Sequence, residues 1–285
     1  MTGLAAAEPI IRVVGFCGVF ALMTLWEIFA PRRALQVSKA YRWTNNLGIL
    51  VVGIVLTRLV FPAAGVGVAL YAADRGWGLF NLLELGWIEV LAGFLLLDFA
   101  IWVQHRLFHT VPWLWRLHRV HHADQDFDVT TGLRFHPVEI LISMLIKACV
   151  IISTGAPVES VLAFEIALNA TSMFNHGNVR LPTSIDRVLR WILVTPDMHR
   201  VHHSTRPQET NSNFGFNLPV WDRWFSTYRD QPEDGHLQMT IGLTQFRSLG
   251  DLRIDKLLLQ PLLTSPVDSA EVEGSNQFFS SRDKP

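Results

Sequence analysis

Charged residues are scarce in this sequence: Asp, Glu, Lys and Arg make up 17% of its 285 residues, and the formal net charge is −1. Soluble globular domains carry about 25% charged residues, so this composition is more typical of a membrane protein. The near-neutral balance provides no basic surface for nucleic acid, and we expect no nucleic-acid partner.

Cysteine is also rare, because the chain has only two, Cys17 and Cys149. Both lie inside apolar runs, which argues against a disulfide framework and for small apolar side chains. The aromatic residues are unbalanced, with ten Trp and eighteen Phe against three Tyr. This bias indicates large apolar surfaces that face lipid or a dense core.

Two apolar runs near the N-terminus predict membrane helices. The first, from about residue 10 to 30, is long enough to span a bilayer, which takes about 20 residues. It lacks the basic start and small-residue cleavage site of a signal peptide, so we expect a retained helix. The second, from about residue 46 to 72, is interrupted by Arg58 and Pro62. Its first part is expected to span, and its remainder to lie at the membrane interface.

Two further apolar regions follow. The run "WIEVLAGFLLLDFAIWVQ" continues without a break into the first histidines. The region from residue 138 to 174 is divided by "STGAPVES", which predicts a helical hairpin that turns at Gly155, Ala156 and Pro157. The alternative is a soluble all-α protein with unusually buried helices.

Charge asymmetry predicts the orientation of these helices. Four basic residues follow the first run, which places that end in the cytoplasm: Arg32, Arg33, Lys39 and Arg42. The chain would then leave near Asp74 and return at His105, and the hairpin would bring His176 to the same side. We therefore predict an all-α integral membrane protein with about four to five membrane helices, including the hairpin. A His-rich helical cap would lie on the cytoplasmic side of a bacterial cytoplasmic membrane.

The pentapeptide His-Arg-Val-His-His occurs twice, starting at His118 and at His199. Positions i, i+3 and i+4 share one face of a helix, so we expect each copy to present three imidazoles to one point. His105 and His109 in "HRLFH" have the same i, i+4 spacing, and His176 in "MFNHGN" ends the hairpin.

These segments supply nine candidate metal ligands: His105, His109, His118, His121, His122, His176, His199, His202 and His203. One ion cannot use nine ligands, whereas two ions with four or five each can, and imidazole suits iron, zinc and copper. A zinc protease is disfavoured because Arg106 replaces the catalytic Glu of HExxH. A metal transporter is the non-enzyme alternative, although its ligands would be expected within the membrane rather than after the spans.

Other polar residues near these segments are possible ligands or could orient the imidazoles: His136, Asn175, Asp98, Asp128 and Asp197. Glu139 and Asp222 also lie near them in sequence. For each carboxylate, a helix cap or an ordinary surface charge is the alternative. His136 precedes a proline, which predicts an extended or turn segment. His236 in "EDGHLQ" is expected to be a loop residue outside the site.

From about Leu97 to Tyr228 the sequence resembles the fatty acid hydroxylase superfamily, also called the sterol desaturase family. The resemblance rests on "DFAIWVQHRLFH", "LHRVHH", "RFHPVE", "FNHG", "MHRVHH" and "NFGFNLPVWDRWFSTY". It implies an integral membrane enzyme whose non-haem di-iron centre uses O2 and external electrons to oxidise C–H bonds of lipids. Hydroxylases, desaturases and ether-lipid monooxygenases all occur in this superfamily.

The prediction is thus a non-haem di-iron lipid hydroxylase or monooxygenase acting on a membrane lipid such as a fatty acyl chain or a sterol-like lipid. Its cofactors would be two Fe ions, with zinc as a possible substitute, and O2 would be the co-substrate. No cytochrome b5-like, flavin-binding or Gly-rich nucleotide segment is visible in the sequence. We therefore expect a separate electron donor, such as a cytochrome, a ferredoxin with its reductase, or a tetrahydropterin. A desaturase or ether-lipid monooxygenase, and a non-redox metal-binding or transport protein, are the alternatives.

The expected organisation has four parts. Residues 1–84 form N-terminal membrane helices, and residues 85–230 form the di-iron catalytic domain. Residues 231–264 form an amphipathic segment, in which "LGDLRIDKLLLQPLL" either lies on the membrane or packs on the catalytic layer. Residues 265–285 are polar and rich in small side chains, which predicts a disordered tail.

Overall fold

The structure is a computed structural model that describes residues 2–83 and 86–263. The regular elements in this part of the chain are helices. Two isolated antiparallel bridges also occur, between Pro31 and Val179 and between Ser204 and Ile241. The all-α prediction is therefore confirmed. The predicted tail at residues 265–285 lies outside the described residues.

Seven longer helices form the bundle: α1 (Thr2–Phe29), α2 (Lys39–Val60), α3 (Ala64–Asp74), α4 (Trp87–Thr110), α5 (Pro112–His122), α6 (Pro137–Thr154) and α7 (Val158–Asn175). Shorter helices follow: α8 (Thr183–Leu189), α9 (Pro196–His202), α10 (Pro207–Thr210), α11 (Val220–Trp224), α12 (Gly235–Gln238) and α13 (Ile254–Leu259). Single turns of 3-10 helix cover Leu79–Leu82, Thr131–Leu133, Leu249–Leu252 and Gln260–Leu262.

Four helical segments of the described chain are long and apolar enough to cross a membrane: Ala7–Phe29, Lys39–Leu82, Trp87–Thr110 and Pro137–Thr154. Their outward faces carry exposed apolar side chains, such as Val13, Leu59 and Leu91. Such surfaces would be unfavourable in water and are typical of helices that contact lipid. The number of spans agrees with the sequence prediction.

Both breaks in the apolar regions occur where the sequence predicts them. α2 ends at Val60, directly before the segment that holds Pro62. α6 ends at Thr154 because Gly155 adopts a left-handed conformation with φ of 68°, and α7 begins after Pro157. The backbone of Gly78 packs directly against Gly155, since a Cβ atom on Gly78 would lie 2.0 Å from the Gly155 nitrogen. The hairpin is therefore held at its turn.

The core lies between α3, α4, α6 and α7, where Leu97, Ile101, Ile151 and Phe164 are buried. The C-terminal segment packs on this bundle instead of standing apart from it. Leu257 of α13 is buried in one cluster with Ile49 of α2 and Val120 of α5. This contact agrees with packing on the layer that carries the histidines, one of the two placements expected for this segment.

Candidate metal centre

The histidines lie where the ends of four helices meet. The last turns of α4 carry His105 and His109, and α5 begins after a single linking residue, Val111. His176 caps the C-terminus of α7. α9 carries the second His-Arg-Val-His-His copy and begins where the Thr195 side chain accepts a hydrogen bond from the Met198 backbone.

All nine predicted ligands are buried, and they fall into two groups whose ring nitrogens lie within 4.8 Å of one another. The first His group contains His105, His109, His118, His122 and His202. The second His group contains His121, His176, His199 and His203. This division into five and four matches the ligand count expected for two ions. The ions themselves remain a proposal.

The expectation that each repeat presents three imidazoles to one point was wrong, because each copy serves both groups. In the first copy, His118 and His122 belong to the first His group and His121 to the second. In the second copy, His199 and His203 belong to the second group and His202 to the first. Helical geometry explains why each copy is divided between the two groups. Residues i and i+4 are only about 40° apart around the helix axis, whereas residues i+3 and i+4 are about 100° apart.

Backbone carbonyls fix the orientation of four of the rings. The Nδ1 atom of His105 lies 2.7 Å from the Phe214 carbonyl, and that of His202 lies 2.7 Å from the Ser212 carbonyl. His176 Nδ1 lies 2.7 Å from the Ser172 carbonyl, and His121 Nδ1 lies 3.2 Å from that of Arg134. A carbonyl only accepts hydrogen bonds, so each Nδ1 must carry the proton. Each Nε2 therefore keeps a lone pair for a metal ion.

The chemistry of these nitrogens fits a metal. The Nε2 atoms of His105 and His118 lie 3.1 Å apart, as do those of His121 and His176. Two lone pairs at this distance repel each other unless a cation or a proton lies between them. Imidazole nitrogens about 2.1 Å from a shared ion would have this separation. Several ring nitrogens are moreover buried without a protein partner among the described residues: those of His109, His122, His199, His202 and His203.

Burial keeps the imidazoles of α5, α7 and α9 neutral. It lowers the pKa of His118 and of His176 to about 3. Burial, followed by the repulsion of neighbouring imidazoles, lowers the pKa of His121, His199 and His203 well below the usual value. Neutral imidazole is the form that binds metals, so these ligands need not lose a proton first.

One carboxylate contacts a ring of the centre directly. Glu139 Oε1 lies 2.6 Å from His118 Nδ1, while the second oxygen, Oε2, is buried without a partner among the described residues. Because His118 is neutral, this contact is a hydrogen bond from its N–H to the side-chain oxygen of Glu139. Glu139 was considered only for its proximity in sequence. The signal that could have found it is "HPVE", which places it in the first turn of a helix beginning beside the site.

The other polar candidates lie around the centre and bond elsewhere. Asp128 accepts from Arg42 and Trp43, and Asp197 accepts from Arg32 and Arg200. His136 caps α6, since its Nδ1 accepts from the Val138 backbone. Asp128 and Asp197 therefore bond to other side chains, and His136 is outside both groups. His236 is also outside both, 3.7 Å from Asp197.

Asn175 and Asp98 bind the loop that follows α10. Asn175 Nδ2 donates to the Phe216 carbonyl, and its Oδ1 is buried without a partner in the described part of the chain. Asp98 accepts from Asn217 Nδ2 at 2.8 Å and from Trp221 Nε1 at 2.7 Å. Asp98 thus joins the middle of α4 to α11.

A second hydrogen bond joins α4 and α11, this time with the donor on α4 and the acceptor on α11. Trp102 Nε1 of α4 donates to Asp222 Oδ1 of α11 at 3.0 Å. Asp222 also accepts from the backbone nitrogens of Phe214 and Gly215, at 2.9 and 2.8 Å. The Phe214 carbonyl is the acceptor for His105, so Asp222 positions the backbone that orients this ring. Trp102 and Phe214 carried no functional prediction.

A largely apolar cavity of about 440 Å³ reaches the centre at His105 and His118. Two aromatic side chains line the cavity and also pack on imidazoles. Phe135 stacks on His121 with ring centroids 4.4 Å apart, and the Phe216 ring lies 5.0 Å from that of His105. Nothing in the sequence singled out these two residues, because an isolated Phe is equally typical of a core.

Comparison with known proteins finds a family match over the region that carries the histidines. Residues 90–227 match the family model named fatty acid hydroxylase. The ornithine lipid hydroxylase OlsE of Rhizobium tropici is 31% identical over 156 residues, 55% of this chain and 46% of that protein. The alkylglycerol monooxygenase of Xenopus tropicalis is 32% identical over 187 residues, 63% of this chain and 39% of that protein.

A more distant relative, the cholesterol 25-hydroxylase of Rattus norvegicus, is 27% identical over 151 residues, 52% of this chain and 49% of that protein. The chain spans less than half the length of each of these three relatives. No solved structure matches the chain. The family match covers both His-Arg-Val-His-His copies and all nine buried imidazoles. Through residues 90–227, this chain therefore matches the fatty acid hydroxylase family.

Proposed function

We propose that this protein is an O2-dependent oxygenase that hydroxylates a C–H bond of a membrane lipid at a paired metal centre. One observation carries the proposal. An apolar cavity lined by the membrane helices ends at His105 and His118, beside two groups of buried, neutral imidazoles. An apolar substrate segment in this cavity would therefore reach the metal ligands without passing through water.

The two His groups would each hold one ion, with five and four imidazole ligands. We infer iron, since imidazole suits iron and the proposed reaction is an oxidation, whereas zinc would bind similar sites without redox activity. When bound, paired iron ions supply the O2 chemistry that an unactivated C–H bond requires and that side chains lack. The electrons would come from a separate donor.

The residues of this chain would orient the ligands and keep water away. Glu139 holds the His118 ring through Nδ1 and leaves Nε2 directed at its neighbour in the first His group. Phe135 and Phe216 cover the imidazoles on the cavity side. A dry cavity protects a reactive centre from side reactions with solvent.

The named activities of the relatives support the lipid as substrate and leave its class open. The proposed reaction would add one oxygen atom to a lipid, as the printed names of a lipid hydroxylase and of a monooxygenase suggest. Oxidation of an ether lipid is the second candidate, favoured by the identity to alkylglycerol monooxygenase. A desaturase on the same centre would remove two hydrogens instead.

Isotope labelling tests these candidates. Cells that express the protein, and matched cells that express His199→Ala, are grown under 18O2, and their lipids are compared by mass spectrometry. One 18O atom in a lipid found only with the unaltered protein is the expected result. A lipid that has lost two hydrogens would identify a desaturase. A changed cellular metal content with an unchanged lipid profile would contradict the proposal and favour metal transport.

A further inference from the structure

The cavity that reaches the His groups has a strongly charged end on the opposite side. Four charged residues line it there, each from a helix within the membrane bundle: Arg12 of α1, Arg58 of α2, Lys147 of α6 and Glu165 of α7. Lys147 and Glu165 are buried, Arg12 is partly buried, and Arg58 is exposed near the end of α2. Charged side chains within membrane helices are costly and usually serve a function. The proposed reaction at the imidazoles does not use them.

Three of these residues form an ion-pair network. Arg12 Nη2 donates to Glu165 Oε2 at 2.6 Å, and Lys147 Nζ donates to Glu165 Oε1 at 3.1 Å. Arg12 also donates to Glu8. The carboxylate of Glu165 is tightly enclosed, because a Cβ atom on Gly65 would lie 2.6 Å from its Oε1. The network is thus fixed in place on one side of the cavity.

The network has more donors than acceptors. Both oxygens of Glu165 are already occupied, whereas Arg12 and Lys147 keep N–H groups beyond those used. Arg58 adds a third cation and has no ion pair or hydrogen bond with any residue that the structure describes. Arg12, Arg58 and Lys147 therefore supply three cations, against the two carboxylates of Glu8 and Glu165. What this set of side chains lacks is a negatively charged hydrogen-bond acceptor.

The distance between the charged end of the cavity and the His groups follows from the rise per residue of α6 and α7. Lys147 follows Glu139 by eight residues along α6, which corresponds to about 12 Å. His176 follows Glu165 by eleven residues at the end of α7, which corresponds to about 16 Å. An extended alkyl chain covers this distance in roughly ten to thirteen carbon–carbon bonds, each about 1.5 Å long and set in a zigzag.

We propose that the charged end of the cavity is a binding subsite for one anionic group, a carboxylate or a phosphate, at the end of an alkyl chain. Arg58 and Lys147 bind the anion, and the chain extends through the cavity toward His105 and His118. The position of oxidation, roughly ten to thirteen carbons from the anion, rests on the function proposed above. The binding of the anion is independent of that proposed function.

Equilibrium binding of hexadecyl probes to the full-length protein in lipid nanodiscs tests the subsite. The probes are palmitate, hexadecyl phosphate and hexadecanol, which differ only in the terminal group. We expect at least one anionic probe to bind about tenfold more tightly than hexadecanol, because a charge-assisted hydrogen bond is lost with the neutral group. Preference for palmitate identifies a carboxylate subsite, and preference for hexadecyl phosphate identifies a phosphate subsite.

Two variants assign the preference to these residues. Arg58→Gln and Lys147→Gln should each weaken binding of the anionic probe by about tenfold and leave hexadecanol binding unchanged. Arg75→Gln is the matched control, because Arg75 is exposed, pairs with Asp74 and lies outside the cavity lining. Arg58 takes no part in the ion-pair network, so its variant is informative even if Lys147→Gln does not fold.

Equal affinity of all three probes for the unaltered protein would overturn the subsite. A preference that persists in both Arg58→Gln and Lys147→Gln would overturn it as well. Binding is measured without turnover, so the outcome is independent of the reaction. Selective anion binding by a protein that oxidises no lipid would contradict the proposed function alone.

Discussion

His122 of the first His-Arg-Val-His-His copy stacks on His203 of the second, with ring centroids 4.5 Å apart and planes 16° from parallel. The two residues belong to different His groups, so their stack lies between the two proposed ion sites. Because each copy contributes to both groups, neither site can form from one copy alone. The repeat is thus the means by which two helices, α5 and α9, build one pair of sites.

Loss of one imidazole from either copy should therefore stop turnover. We predict that His121→Ala and His202→Ala each abolish lipid oxidation, although they belong to different His groups. The double variant should be no worse than either single variant, because residues that act as a unit are strongly non-additive. Product formation is measured at matched expression and after the fold has been verified.

His236→Ala is the matched control for this experiment. His236 is buried but lies outside both His groups, next to Asp197. This variant should retain near-normal turnover. Normal activity of His202→Ala beside an inactive His121→Ala would show that the two copies do not share a catalytic centre.

The hydrogen bond from His118 to Glu139 should tighten metal binding. Glu139→Gln keeps the size of the side chain but replaces its carboxyl group with an amide, and we expect metal affinity or activity to fall about 10- to 100-fold. Competition with a chelator, followed by elemental analysis, measures the affinity. Glu159→Gln, on the exposed first turn of α7, is the control. Equal metal retention by the two variants would contradict this role of Glu139.

The bond between Trp102 and Asp222 should stabilise the loop that orients His105. Trp102→Phe removes the indole donor and leaves the aromatic ring, so we expect the free energy of unfolding to fall by about 1.5–3 kcal/mol. Asp222→Asn should cost more, because Asp222 also accepts from two backbone nitrogens. Chemical unfolding in detergent measures both. The exposed Trp224 offers a control, Trp224→Phe, which should change little; an equal loss in that variant would count against the bond.

The basic residues after α1 predict that the His groups face the cytoplasm. Glu233 is exposed on the side of the molecule that carries the His groups. Asp74 is exposed at the end of α3. In a chain with Cys17 and Cys149 replaced by Ala, Asp74→Cys should react with an impermeant maleimide in intact cells. Glu233→Cys should react only after the membrane is opened. The reverse pattern would overturn the predicted orientation.

Local sequence patterns were enough to predict the helices and to single out the nine histidines that the fold brings together. The apolar runs, the break at Pro62 and the hairpin turn at Gly155 depend on neighbouring residues, and each appears where the sequence places it. The nine histidines were found for the same reason, because i, i+3 and i+4 spacing within a helix is visible in the sequence. All nine are buried in the two His groups.

The long-range contacts were not visible in the sequence. How the imidazoles divide between two groups depends on the packing of α5 against α9, which no local pattern specifies. The same is true of Asp222, which joins Trp102 across 120 residues, and of Phe135, which covers His121. The charged end of the cavity joins residues of four helices and was likewise missed. Arg58 was noted only as an interruption of an apolar run.

The number of iron ions bound per chain tests the central claim most directly. The protein is purified anaerobically from iron-replete cells, and iron is measured by elemental analysis against a quantitative amino-acid determination. Since the imidazoles form one group of five and one of four, we predict two ions per chain. Zinc in place of part of the iron would keep the total at two. A total of one ion or fewer would contradict the paired centre.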